Sequence, residues 1–104
     1  MRMNWQQKLS AVQALCGTFN VAVRMRNPGD WYVNDCTEIK DGSILRGEYG
    51  NGATPEQAVE DHWDILTNLP HEQYIVVRAA REDRRAVRWN GFMWEDVAEK
   101  RDGE

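Results

Sequence analysis

The run Gly50-Asn51-Gly52-Ala53-Thr54-Pro55-Glu56-Gln57-Ala58-Val59-Glu60-Asp61-His62-Trp63-Asp64-Ile65-Leu66 decides how the rest of the chain is read. A glycine-rich turn leads into a helix whose start is spelled out. Thr54 stands at the N-cap, where its hydroxyl can accept from a free backbone N–H. Pro55 fits the first helical position, and Gln57 completes a Thr-x-x-Gln capping box. Val59, Trp63 and Leu66 form an apolar stripe, with Ala58, His62, Ile65 and Leu69 alongside, and Asn68-Leu69-Pro70 ends the helix. On the other side Glu56, Glu60 and Asp64 stand at i, i+4 and i+8, with Asp61 beside them. Like charges at this spacing repel by roughly 0.2–0.5 kcal/mol per pair, and only Glu56 is near enough the helix start to be offset by the dipole. Capping accounts for the start of the helix but not for the carboxylate row.

Upstream, Asn4 can cap a helix over residues 5–15, with Trp5, Leu9, Val12 and Leu15 near helical spacing and Gly17 as the stop. Residues 19–26 alternate: Phe19, Val21, Val23 and Met25 face one way, and Asn20, Ala22, Arg24 and Arg26 form a solvated or ligand-facing side. Asn27-Pro28-Gly29-Asp30 is a turn, a return strand runs from Trp31 toward Ile39, and Asp41-Gly42 leads into a third strand over residues 43–49. Downstream, strands are expected over residues 73–79, 85–89 and 92–95, with Asn90-Gly91 as a hairpin signal. The expected fold class is α+β. One antiparallel sheet of about five or six strands carries two helices on one face, in the order α-β-β-β-α-β-β(-β). Residues 1–97 read as a single domain and residues 98–104 as a charged, frayed tail.

The net charge of −4 disfavours general polyanion binding, but its distribution is uneven. Residues 31–70 hold two Lys/Arg and eight acids, whereas Arg78, Arg81, Arg84, Arg85 and Arg88 form a basic patch ahead of an acidic end. No apolar run approaches the ~20 residues of a membrane span, and the N-terminus lacks a signal-peptide core. Two cysteines, Cys16 and Cys36, read as free thiols in a reducing compartment, so the expected location is cytoplasmic.

The run Gly42–Tyr49, then Gly50-Asn51-Gly52 and Thr54-Pro55-Glu56-Gln57-Ala58-Val59, resembles HicB-type antitoxin domains, where a strand passes through a glycine turn into a Thr-Pro-Glu-Glu-Ala-like helix start. The resemblance covers about residues 19–69. It implies a double-stranded-RNA-binding-like α/β fold and a domain that blocks a small toxin. The chain departs from these antitoxins in starting with a helix and in having no room for their separate DNA-binding segment. It departs from RNA-binding relatives of the fold in placing Glu56, Glu60 and Asp61 where lysines would meet phosphate. The ending Val87-Arg88-Trp89-Asn90-Gly91-Phe92-Met93-Trp94-Glu95-Asp96 also resembles that of small bacteriophage accessory proteins.

Three constellations could carry function. Glu56, Glu60, Asp61 and Asp64 could dock on a basic protein surface, although a charge run is commonly just a solvated face. Trp31 and Tyr32 are adjacent in a strand, so one of them faces away from the core side and is a candidate interface anchor, although a single exposed aromatic commonly has no role. Arg78, Arg84, Arg85 and Arg88 with Trp89 and Trp94 have the chemistry for single-stranded nucleic acid, although such charges also protect sheet edges. His62, on the edge of the apolar stripe, reads as a hydrogen-bonded core histidine, and no nucleophile motif, metal set or cofactor loop stands out. The expectation is a non-enzymatic protein-binding module, such as a phage accessory protein or host-defence inhibitor, meeting a basic protein surface. Nucleic-acid binding through the arginine hairpin and antitoxin-like neutralisation are the alternatives.

Overall fold

A computed structural model describes residues 2–99. The chain is α+β, with two helices and two antiparallel sheets. Helix α1 spans Trp5–Cys16 and starts with a complete capping box: the Asn4 side chain accepts from the Gln7 N–H, and the Gln7 side chain accepts from the Asn4 N–H. Such a cap is worth about 1 kcal/mol. Gly17, at φ +93°, ends it. Strands β1 (Ala22–Asn27), β2 (Asp30–Asn34), β3 (Thr37–Asp41), β4 (Ile44–Arg46) and β5 (Gly50–Gly52) follow, then α2 (Pro55–Thr67) and β6 (Tyr74–Val77), β7 (Arg85–Trp89) and β8 (Trp94–Asp96).

One sheet has three strands in the order β1-β2-β5 and the other five in the order β4-β3-β6-β7-β8. The one sheet that was expected is therefore two, and the return strand expected from Trp31 toward Ile39 is divided between them as β2 and β3. The division falls at Asp35-Cys36, where the Asp35 carboxylate accepts from the N–H and hydroxyl of Thr37 at 2.8 and 2.6 Å and draws the chain out of the ladder. The expected third strand over residues 43–49 is also cut short. It closes as β4, and its chain rejoins β2 as β5.

The glycine segment is thus a strand, and its glycines serve a close approach. A Cβ on Gly50 would lie 2.3 Å from the Ala58 carbonyl oxygen and 2.4 Å from the His62 Cβ; one on Gly52 would lie 2.5 Å from the Ala58 nitrogen. β5 can rest on α2 only without side chains at these two positions. The Thr54 hydroxyl accepts from the Gln57 N–H as expected, but the Gln57 side chain accepts from Ala53 rather than from Thr54, pinning the end of β5 to the helix start.

Both helices supply the core. The larger part joins Val12, Leu15, Trp63 and Leu66 to Ile75, Val77 and Val87 of the five-stranded sheet. The smaller part holds only Val33, Ala58 and Val59 as buried residues, flanked by Trp5, Leu9, Val21, Val23 and Trp31. Phe19, expected to face the core, lies in a short 3-10 helix (Thr18–Asn20) and is fully exposed, and Met25 is half exposed because β1 is an edge strand. Residues 73–79 form a shorter strand than expected: Arg78 has left-handed backbone, φ +58°, and leaves the sheet. Of the expected charged tail, Glu99 pairs with Arg84, and residues 100–104 lie outside the described residues.

Candidate functional site

The two helices cover one face of the three-stranded sheet, and the strand alternation sends Trp31 and Tyr32 to opposite sides. Trp31 packs toward α2 beside Val33 and Val59. Tyr32 points outward, opposite Arg24 in the β1–β2 ladder and opposite Asn51 in the β2–β5 ladder. The Arg26 guanidinium lies 4.3 Å from the centre of the Tyr32 ring and donates to the Asn51 side chain at 2.8 Å. Tyr49 meets Tyr32 edge to face, with centroids 6.2 Å apart, and is half exposed. Arg24 is exposed and makes no hydrogen bond or ion pair among the described residues. The outer face of this sheet is therefore an open platform of two tyrosines and two arginines, ordered by contacts within the sheet.

A cleft of about 420 Å³ adjoins the platform at the gap between the sheets, lined among others by Asn34, Asp35, Cys36, Glu48, Tyr49 and Arg78. Beneath it, Asp35 and His62 are joined at 2.8 Å with side chains only 1% and 2% exposed. Burial pushes the Asp35 carboxyl up, but the His62 hydrogen bond and charge, with the Thr37 hydroxyl and N–H, outweigh it and hold the group below its ordinary range. The His62 Nδ1 has no partner among the described residues, so no hydroxyl or thiol is lined up there to act as a nucleophile. The pair ties the break in the strand path to α2. Burial, reinforced by the Asp35 charge and the Cys36 thiol, raises the neighbouring Cys16 thiol far above its ordinary value, which keeps it protonated and unreactive.

The acidic helix face divides in two. Glu60 pairs with Lys8 of α1, and Asp61 accepts from the Asn51 N–H at 2.8 Å, so both hold the fold. Glu56 and Asp64 are exposed.

The arginine hairpin is largely occupied by its own chain. Arg78 donates to the Cys16 carbonyl and Asp83, Arg84 to Glu99 and the Ala79 carbonyl, and Arg85 to Asp96. Arg88 donates to the carbonyls of Leu69, Pro70, His71 and Gln73, which closes the turn after α2. Trp89 and Trp94 pack edge to face on each other and on Trp63, with centroids 4.8 to 5.7 Å apart, and the Trp94 indole donates to the Ala11 carbonyl. Such aromatic pairs are worth about 0.5–1.5 kcal/mol each beyond their burial. These indoles close the core beside α1 and α2.

Tyr49, Asn51 and the buried Asp35 were not picked out by sequence patterning. The Arg24/Arg26 alternation was the available signal for the outer face, and Asp35 followed two residues later by Thr37 was the signal for a local Asx turn. Among the described residues no helix is long and apolar enough to cross a membrane, and no group of three or more His, Cys, Asp or Glu side chains is placed to hold a metal ion. Comparisons with protein-family models, with curated proteins and with solved structures find no match.

Proposed function

We propose that this chain is a non-enzymatic protein-binding module whose recognition surface is the outer face of the three-stranded sheet. The observation that carries this reading is the uncovered Tyr32–Tyr49–Arg26 cluster, with Arg24 unpartnered beside it. Tyrosine and arginine are the residues that most often anchor protein interfaces, since each supplies large contact area and directed hydrogen bonds. Here the Arg26 side chain is already fixed against Tyr32 and Asn51, so less ordering is needed when a partner docks. Glu56 and Asp64, the free carboxylates of α2, are exposed on the helix side of the sheet and form a separate charged patch, away from the tyrosines, for a basic surface. Antitoxin-like blocking of a small protein and host-defence inhibition are both forms of this reading.

The observations favour this over nucleic-acid binding through the hairpin. The guanidinium groups of Arg78, Arg84, Arg85 and Arg88 are spent on carbonyls and carboxylates of the same chain, and Trp89 and Trp94 are packed against Trp63. The test is affinity capture from lysate, with and without nuclease treatment, with the wild-type chain and with Tyr32→Ala/Tyr49→Ala. The reading expects a protein held by the wild type and released by the variant, with unchanged circular dichroism. Capture that depends on intact nucleic acid would sink it.

A further inference from the structure

β2 and β3 run almost end to end, and three residues link β4 to β5, so these two strands share one side of that path. β1 and β6 therefore share the other side, with the Arg78 N–H bonded to the Cys36 carbonyl where β6 ends and Ala22 paired with Asn34 where β1 begins. Outward from β6 the sheet continues through β7 and β8. Outward from β1 there is no further strand among the described residues. Alternate N–H and C=O groups of this six-residue strand point away from the sheet, and it contains no proline.

The side chains of β1 define what could pair there. Arg24 and Arg26 stand on the outer face, whereas Val23 packs toward the smaller core and Met25, on the same side, is 53% exposed. A second copy of β1 would set arginine against arginine, which is unfavourable across a ladder. An incoming strand with carboxylates on the outer side and apolar residues on the inner side satisfies both faces and extends a core that has only three buried residues.

Building on the binding reading above, we propose that β1 is a strand-addition site. An extended segment of the protein partner, alternating acidic and apolar residues, pairs along Ala22–Asn27 with a carboxylate beside Arg24, the arginine of this strand that has no partner among the described residues. Main-chain bonds supply the affinity and Arg24 selects the sequence. The ladder irregularity between Met25 and Asn27 marks the end at which pairing stops.

The test titrates the isotope-labelled chain with a blocked peptide, Thr-Val-Glu-Val-Glu-Val-Thr, and follows amide shifts and exchange. The proposal expects shifts centred on Ala22–Asn27, slowed exchange of the outward amides of β1, and binding weakened about tenfold by Arg24→Glu. It also expects little response to a peptide with lysine in place of glutamate, or to one N-methylated at alternate amides. Equal binding of either control, or no response in β1, overturns it. So does a stronger response of β1 and Tyr32 to a short single-stranded oligothymidylate, which would assign the face to nucleic acid. If β1 stays silent while Tyr32→Ala/Tyr49→Ala still releases the captured partner, strand addition fails and the broader reading of the face stands.

Discussion

Both sheets rest on the same two helices, yet they turn their aromatic residues in opposite directions. In the five-stranded sheet the tryptophans turn inward onto Trp63, and the arginines bind carbonyls and carboxylates of their own chain. In the three-stranded sheet the tyrosines turn outward, Arg26 stacks on one of them while also binding Asp30 and Asn51, and Arg24 is left without a partner among the described residues. Arg/aromatic composition therefore predicts neither binding nor structure by itself. The difference lies in where the chain carries unsatisfied carbonyls. The turn after α2 presents the carbonyls of Leu69, Pro70, His71 and Gln73 to Arg88, whereas Arg24 meets no acceptor among the described residues.

The joint between the two regions should be the most sensitive point. Asp35→Ala leaves His62 buried without its carboxylate, and the expected loss is about 3–5 kcal/mol of unfolding free energy in urea titration. The pH dependence follows from the depressed Asp35 pKa. The unfolded chain takes up the proton first as pH falls, so the stabilisation is complete above the ordinary value of 3.8 and is lost as pH falls through the lower folded value. Asp35→Asn should accordingly flatten the acid limb of stability against pH. An unchanged limb would mean that the pair does not couple the sheets.

Next in size is Gly50→Ala, which sets a methyl group against the backbone of α2 and should cost about 3 kcal/mol. Gly42→Ala offers a control within the same hairpin path. Its φ of +63° brings a backbone penalty of about 1 kcal/mol, but no atom lies within 4 Å of the new methyl. If the two variants melt alike, close approach is not the reason for glycine at position 50.

Arg88→Ala should cost about 2 kcal/mol, since carbonyls of the turn after α2 lose a charged donor. The smallest stability effect is expected for Glu56→Lys/Asp64→Lys, within about 0.5 kcal/mol, because both side chains are exposed. A large loss there, or none at Arg88, would reverse the division between structural and free charges drawn above.

Much of the fold was legible because its signals are local. Asn4 with Gln7, Thr54 with Pro55, and the glycines at positions 17, 29 and 42 act within a few residues of themselves, and each marks a boundary where one was expected. The purpose of Gly50 and Gly52 was hidden because a turn and a close approach ask for the same residue. The break at Asp35-Thr37 had a local signal, but its attachment to α2 was hidden because the other partner of Asp35 is His62, on another element. The arginine set illustrates the same limit for the site. Its composition suited nucleic acid, but its partners, such as Glu99 for Arg84, are distant in sequence. Adjacency told us that one of Trp31 and Tyr32 faces outward; only the packing of Trp31 on α2 identified it as Tyr32.

The central claim is that the tyrosine face, rather than the arginine hairpin, meets a protein partner. Its most direct test is side-by-side capture from nuclease-treated lysate with the wild type, Tyr32→Ala/Tyr49→Ala and Arg85→Ala, the last removing the exposed Arg85–Asp96 pair. The tyrosine variant should lose the bound protein while Arg85→Ala retains it. Retention by the tyrosine variant together with loss by Arg85→Ala would contradict that claim.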